Sequence, residues 1–266
     1  TVADDGLAGT IIADNDITGA IAITDGIAAT GVVQAGNDLS GAVTVATGDI
    51  AAGATVAAGN DITGNITVAD GVIAANITAQ NEISGSIVST NGAISGTITA
   101  LLGDLSGNVT AGVGNIASIV VGGDIDGSAI SAEDDITSIA VTGAILAGTT
   151  ITASDADVDG TGNIGTIIAG DGINATIAAV NIDTIRSGGL AGEDIEGTIT
   201  ASGDIDLVDA GNGIIEATVT AGVAVPGSPL ATFISDGYSY AVWAISGTPT
   251  SPTEPTAAVG VSAELV

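Results

Sequence analysis

The chain has 266 residues, of which 31 are Asp or Glu against one Arg, with no Lys and no His, for a formal charge of −30 at pH 7. That balance repels nucleic acid and anionic membrane surfaces, and excludes both as partners. Hydrophobic residues make up 45%, aromatics only 2%, and Gly numbers 41, so the chain sits far from disordered compositions and its core must come from small and branched aliphatics.

The sequence opens at Thr1 without a basic-then-apolar leader and has no apolar run of membrane-spanning length, which reads as a processed, exported chain that does not span a membrane. With no Cys, it has neither disulfides nor thiolate metal sites. Asn65, Asn76, Asn108 and Asn174 each start a glycosylation sequon, although a chain rich in Asn, Thr and Ser also produces such triplets by chance.

In chain order, one phrase keeps returning. It reads DITGAIAITDG from Asp16, DLSGAVTVATG from Asp38, DITGNITVADG from Asp61 and EISGSIVSTNG from Glu82. It continues as AISGTITALLG from Ala93, DLSGNVTAGVG from Asp104 and DIEGTITASG from Asp194. The anchors Ile50, Ile62, Ile73, Ile83, Ile94, Leu105 and Ile116 fall about 11 residues apart, and later ones about 9 to 13. Gly in nearly every unit, at about 1 kcal/mol each, together with Ile, Val and Thr, argues against an 11-residue helical repeat. Within a unit the alternation has period 2: Ile98 faces one way, Thr97 and Thr99 the other. Gly, Asn and Asp close each strand because they tolerate left-handed corners. A strand this short cannot bury its apolar face alone, so the units must stack as an all-β, parallel β-solenoid over residues 1–222. Two units per coil predict about 21 residues per turn, and three predict about 32; the repeat is compatible with both.

Between the later units lies DADVDG, in which Asp155, Asp157 and Asp159 precede Gly160 as in the opening of a calcium loop. The Glu that would complete an EF-hand is replaced by Thr166 and helical flanks are missing, so the spacing also fits ordinary turn residues. Corner acids such as Asp16, Asp38, Asp61 and Asp104, stacked about 5 to 10 Å apart, repel by roughly 0.4 to 0.8 kcal/mol per pair in water, which favours salt or divalent ions, or acids spread over several faces. With only Arg186 as a cation, the solenoid lacks the basic groups of acidic-polysaccharide-cleaving β-helices, and the repeat region lacks aromatic sugar platforms; the chain reads as non-enzymatic. Thr67, Thr78, Thr99, Thr110, Thr152, Thr200 and Thr220 fit either an ordered ladder of the ice-binding kind or the usual polar side of a strand.

Past residue 222 the pattern changes, and residues 223–266 hold all five prolines and every aromatic: Phe233, Tyr238, Tyr240 and Trp243. This segment reads as a β cap over the last coil, or as an assembly element that adds a strand to a neighbouring chain.

The phrases AGNDITGNITVADG and GTITASGDIDLVDAGNG make residues 6–222 resemble the repeats of filamentous-haemagglutinin-type bacterial surface proteins and of Gly-Asp-Ile-rich envelope repeat proteins. The resemblance implies a right-handed parallel β-helix on or outside the cell, used for adhesion, envelope building or reach. The expected function is that of an extracellular structural subunit assembling with copies of itself into a filament, sheath or layer. An adhesive stalk and an ice-binding protein are the alternatives.

Overall fold

An eleven-residue unit can join a solenoid if it supplies one aliphatic to turn the corner and one short strand with two inward positions. The computed structural model describes residues 6–155, 162–188, 190, 192–222, 229–235, 238–243 and 261–263, and among these there are strands and turns but no helix. The strands form a 12-stranded and an 11-stranded sheet, here sheet I and sheet II. Successive units alternate between them. Thr10–Ala13, Val32–Ala35 and Thr55–Ala58 lie in sheet I, while Ile21–Ile23, Val43–Val45 and Ile66–Val68 lie in sheet II. Two units therefore make one coil, in about nine turns.

The sequence anchors are the corners. Leu7, Ile27, Ile50, Ile73, Ile94 and Ile116 bridge in one parallel column, and Ile17, Leu39, Ile62, Ile83, Leu105 and Ile125 in the other. Along the first column the step is 20 to 23 residues as far as Ile136. The next step, to Ile164, is 28 residues, because extra chain is inserted after Ala153. Each coil adds two inward residues per strand, such as Ile98 and Ala100 in sheet I, and nearly all are fully buried. Burying one such Ile is worth about 1.5 to 3 kcal/mol, a gain no isolated unit could obtain. Ser89 interrupts an apolar inner column but donates its hydroxyl to the Gly71 carbonyl at 2.6 Å. Among the described residues no buried side-chain N or O lacks a partner.

Glycine recurs in the repeat for two reasons, and the left-handed corner expected where it closes a strand is only one of them. Gly41, Gly64, Gly85 and Gly107 follow the second corner and do not have positive φ. Each donates its N–H to the corner residue one coil back, at 2.8 to 3.1 Å, so the backbones nearly touch. A Cβ on Gly85 would run into the carbonyl of Gly64, and one on Gly64 into that of Gly41. Room, not handedness, selects glycine here. The left-handed requirement applies at the opposite corner, for instance at Gly26 and Gly48 with φ of 97° and 77°.

Pairing is parallel until the last strand of each sheet. Pro229–Ser235 continues sheet I beside Ile205–Asp209, and Tyr238–Trp243 then pairs antiparallel with it. Val261–Ala263 lies antiparallel to Thr218–Ala221 in sheet II. Both sheets thus close on a strand that runs against the stack.

Candidate functional site

Corners leave backbone N–H groups that the ladders do not reach, and such donors need acceptors. The acidic residue ahead of the corner aliphatic supplies one. Asp16 accepts the Asn37 side-chain amide at 2.8 Å and the Asp38 N–H at 3.1 Å, both from the next coil. Asp38 accepts Asn60 and the Asp61 N–H in the same way, and Asp61 accepts Asn81 and the Glu82 N–H. The Asn-Asp and Asn-Glu pairs of the repeat are therefore clamps reaching back one coil. The same role falls to Asp104 and Asp124 on this corner, and to Asp49, Asn115, Asp135 and Asn181 on the other. The expected stacking of Asp16, Asp38 and Asp61 holds, and the donors offset the repulsion. The Asn37 amide, with the Asp38 N–H, holds the Asp16 carboxyl below its ordinary value. Replacing Asp61 by Asn keeps the acceptor and should leave stability unchanged or slightly higher, whereas Asp61→Ala should cost about 1 to 2 kcal/mol in urea unfolding.

Three sequon asparagines do the same work. Asn65, Asn76 and Asn108 accept the N–H of Ser86, Thr97 and Ala129 at 2.9 to 3.0 Å, and Asn174 donates to Glu196 at 2.6 Å.

The irregular coils open one polar notch of about 540 Å³, lined by Asp135, Asn163, Gly165, Asn181, Asp183, Asp204 and Asp206 among others. Gly165 lines it between Thr137 and Asp183, and a Cβ there would run into the Thr137 carbonyl. Asp183 and Asp206 follow the corner residues Ile182 and Ile205 on adjacent coils. Partial burial, then the charges of Asp206 and Asp135, push the Asp183 carboxyl above its ordinary value. A raised folded-state pKa weakens the fold where the group is charged, so stability should rise as pH falls through it. Asp16, shifted down, acts in the opposite sense, and its contribution is lost only at still lower pH. Asp183→Asn should be more stable than the parent at neutral pH and lose that gain on acidification, as a series of urea midpoints against pH will report. Nothing in the repeat pattern signals this cluster, because its acids sit on three coils of unequal length.

Of the acidic loop, Asp155 is partly buried, and Asp157 and Asp159 lie outside the described residues. Among the described residues no group of three or more His, Cys, Asp or Glu is placed to hold a metal ion. The sequence-chosen threonines do not form one ladder. Thr67, Thr110, Thr152, Thr200 and Thr220 share an outward column of sheet II, interrupted by Val88, Ser131 and Ala178. Thr78 and Thr99 belong to sheet I, because successive units alternate sheets. In sheet II a second column, Thr150, Thr176, Thr198 and Thr218, runs beside the first. Phe233 stands in register with Val208 and is buried, so its ring fills the end of the core. Tyr238, Tyr240 and Trp243 lie on the antiparallel strand that follows it.

Acids are thus concentrated at corners, and one outward column of each sheet is nearly bare of charge, with Asp183 and Asp206 on the strands of sheet I and Glu196 on a strand of sheet II standing outside it. The outward column of sheet II from Ala22 to Thr220 contains no charged residue. That of sheet I from Ile12 to Asp209 contains only Arg186 and Asp209, which pair at 2.9 Å. No helix among the described residues is long and apolar enough to cross a membrane. No family model, curated protein or solved structure matches the chain.

Proposed function

We propose that the chain is a non-enzymatic, extracellular structural protein: a β-solenoid rod that assembles with copies of itself into a surface filament, sheath or layer. The observation that carries this reading is the segregation of charge. A chain with a formal charge of −30 keeps a central outward column of each sheet almost free of it, along which rods can approach without bringing acids together. Under this reading glycans at Asn65, Asn76 or Asn108 would attach through Nδ2 while Oδ1 keeps its ladder bond. Electron microscopy of the purified chain with and without calcium should reveal fibres or sheets. Dispersed short rods under both conditions would sink the proposal.

A second reading, ice binding, is favoured by the paired threonine columns of sheet II, which place hydroxyls and methyls on a regular grid about 4.8 Å by 6.6 Å. It predicts thermal hysteresis, and a solution without any discards it.

A further inference from the structure

Charge explains where rods can meet, and hydrophobic exposure distinguishes the two faces. Eight large hydrophobic residues are exposed among the described residues. Three of them, Ile12 at 60%, Val120 at 38% and Ile168 at 39%, stand in the same outward column of sheet I. Leu101 and Leu102, at 49% and 67%, directly follow the strand Ile94–Ala100 at the margin of that face. The outward column of sheet II has none. These three share the column with Ala57 and Ala140 and are interrupted by Gln34, Thr78 and Thr99, so sheet I carries aligned apolar positions on a highly charged chain where sheet II carries mostly threonine. We propose that the outer face of sheet I, from Ile12 to Ile168, docks a second copy of the chain with the two rods antiparallel, a refinement that rests on the self-assembly reading above.

The occupant follows from register and charge. Counting strands of sheet I, Ile12 is on the first, Ala57 on the third, Val120 on the sixth and Ile168 on the eighth. A two-fold axis lying along the strands, level with the gap between Asn76–Ala79 and Ile94–Ala100, sets Ile12 over Ile168 of the other copy, Val120 over Ala57 and Thr78 over Thr99. Large residues meet small ones in the middle and aliphatics meet at both ends. The acids at the ninth and tenth strands, Asp183 and Asp206, then project beyond the partner's first coil. A parallel arrangement would instead bring them level with their own copies, where they repel across a dry contact. Eight strands about 4.8 Å apart and four residues wide give roughly 500 Å² per copy in projection, or roughly 1,000 Å² for the pair, the size at which specific association begins.

The 266-residue chain has no Cys, so thiols can be placed at will. Facing sheets stack about 10 Å apart, within reach of a short bis-maleimide. When Ile12→Cys and Ile168→Cys chains are mixed, the expected product contains one of each, and either variant alone should cross-link poorly. In sedimentation, Ile168→Asp should raise the dissociation constant of the dimer by about tenfold or more, Ile168→Ser should do so in part, and Thr110→Asp on sheet II should leave it unchanged. Assemblies that survive Ile168→Asp, or that fail with Thr110→Asp instead, would overturn this docking face while leaving self-assembly standing. Self-linked Ile12→Cys would overturn the antiparallel arrangement. A parent chain that stays monomeric at every concentration would overturn both.

Discussion

Gly85→Ala should lower the unfolding free energy by about 3 kcal/mol, the upper part of the range for overpacking a core, while Gly19→Ala should be nearly silent. Both glycines occupy the same place in the repeat, two residues after a corner aliphatic. The difference lies in what is below them. Gly85 donates to the Ile62 carbonyl at 3.0 Å and is buried against the Gly64 backbone, which cannot swing aside as a side-chain tip would. A methyl there must push two coils apart, and the corner bonds on either side with them. Gly19 is exposed, and an added Cβ meets nothing within 4 Å. Denaturant melts of the two variants provide the comparison, with Gly64→Ala expected to follow Gly85→Ala. If instead both positions cost the same few tenths of a kcal/mol, the tight stacking of coils is wrong.

The same contrast explains what could be read from the sequence. The anchors from Ile50 to Ile116 were legible because every corner, whichever sheet it leads into, demands a buried aliphatic, and that demand repeats every unit. The inward and outward sense of Ile98, Thr97 and Thr99 was legible from alternation alone. What a unit touches one coil away is not written within it. Two-unit and three-unit coils share one local phrase, so the sheet assignment of Thr67 and Thr78 could not be separated. The reason for Gly85, and the reach of Asn81 back to Asp61, both depend on the neighbour about 21 residues earlier. The Asn ahead of each acid at Asp38, Asp61 and Glu82 was the available signal for the clamps, and it becomes meaningful only once coil length is known. The notch at Gly165 and Asp183 arises where coil lengths depart from the repeat, so no periodic reading could have found it.

Asp209→Asn should make the chain about 5 to 30 times more susceptible to trypsin, the factor that one or two kcal/mol of local stability confers. Arg186 is the only Lys or Arg in the sequence, so the bond to Ser187 is the only one such a protease can cut. In the fold that bond is protected from both sides. Ser187 is buried, its N–H donates to the Asp209 carbonyl at 3.0 Å, and its hydroxyl donates to the Glu193 carbonyl at 2.6 Å. Arg186 itself is half exposed, but its Nε donates at 2.9 Å to Asp209, whose side chain is only 12% exposed and also accepts the Gly211 N–H at 2.8 Å. Asn at 209 keeps that turn contact and loses the charge that holds Arg186 down. Half of the pair faces water, so its loss should fall below the 3 to 5 kcal/mol typical of breaking a fully buried pair, nearer about 2 kcal/mol. Cleavage at one bond then reports a single event, the lifting of the strand Ile182–Arg186 from Ile205–Asp209. A parent chain cut as fast as its Asp209→Asn variant would mean that the pair does not guard this strand, and that the last coils open independently of the rest.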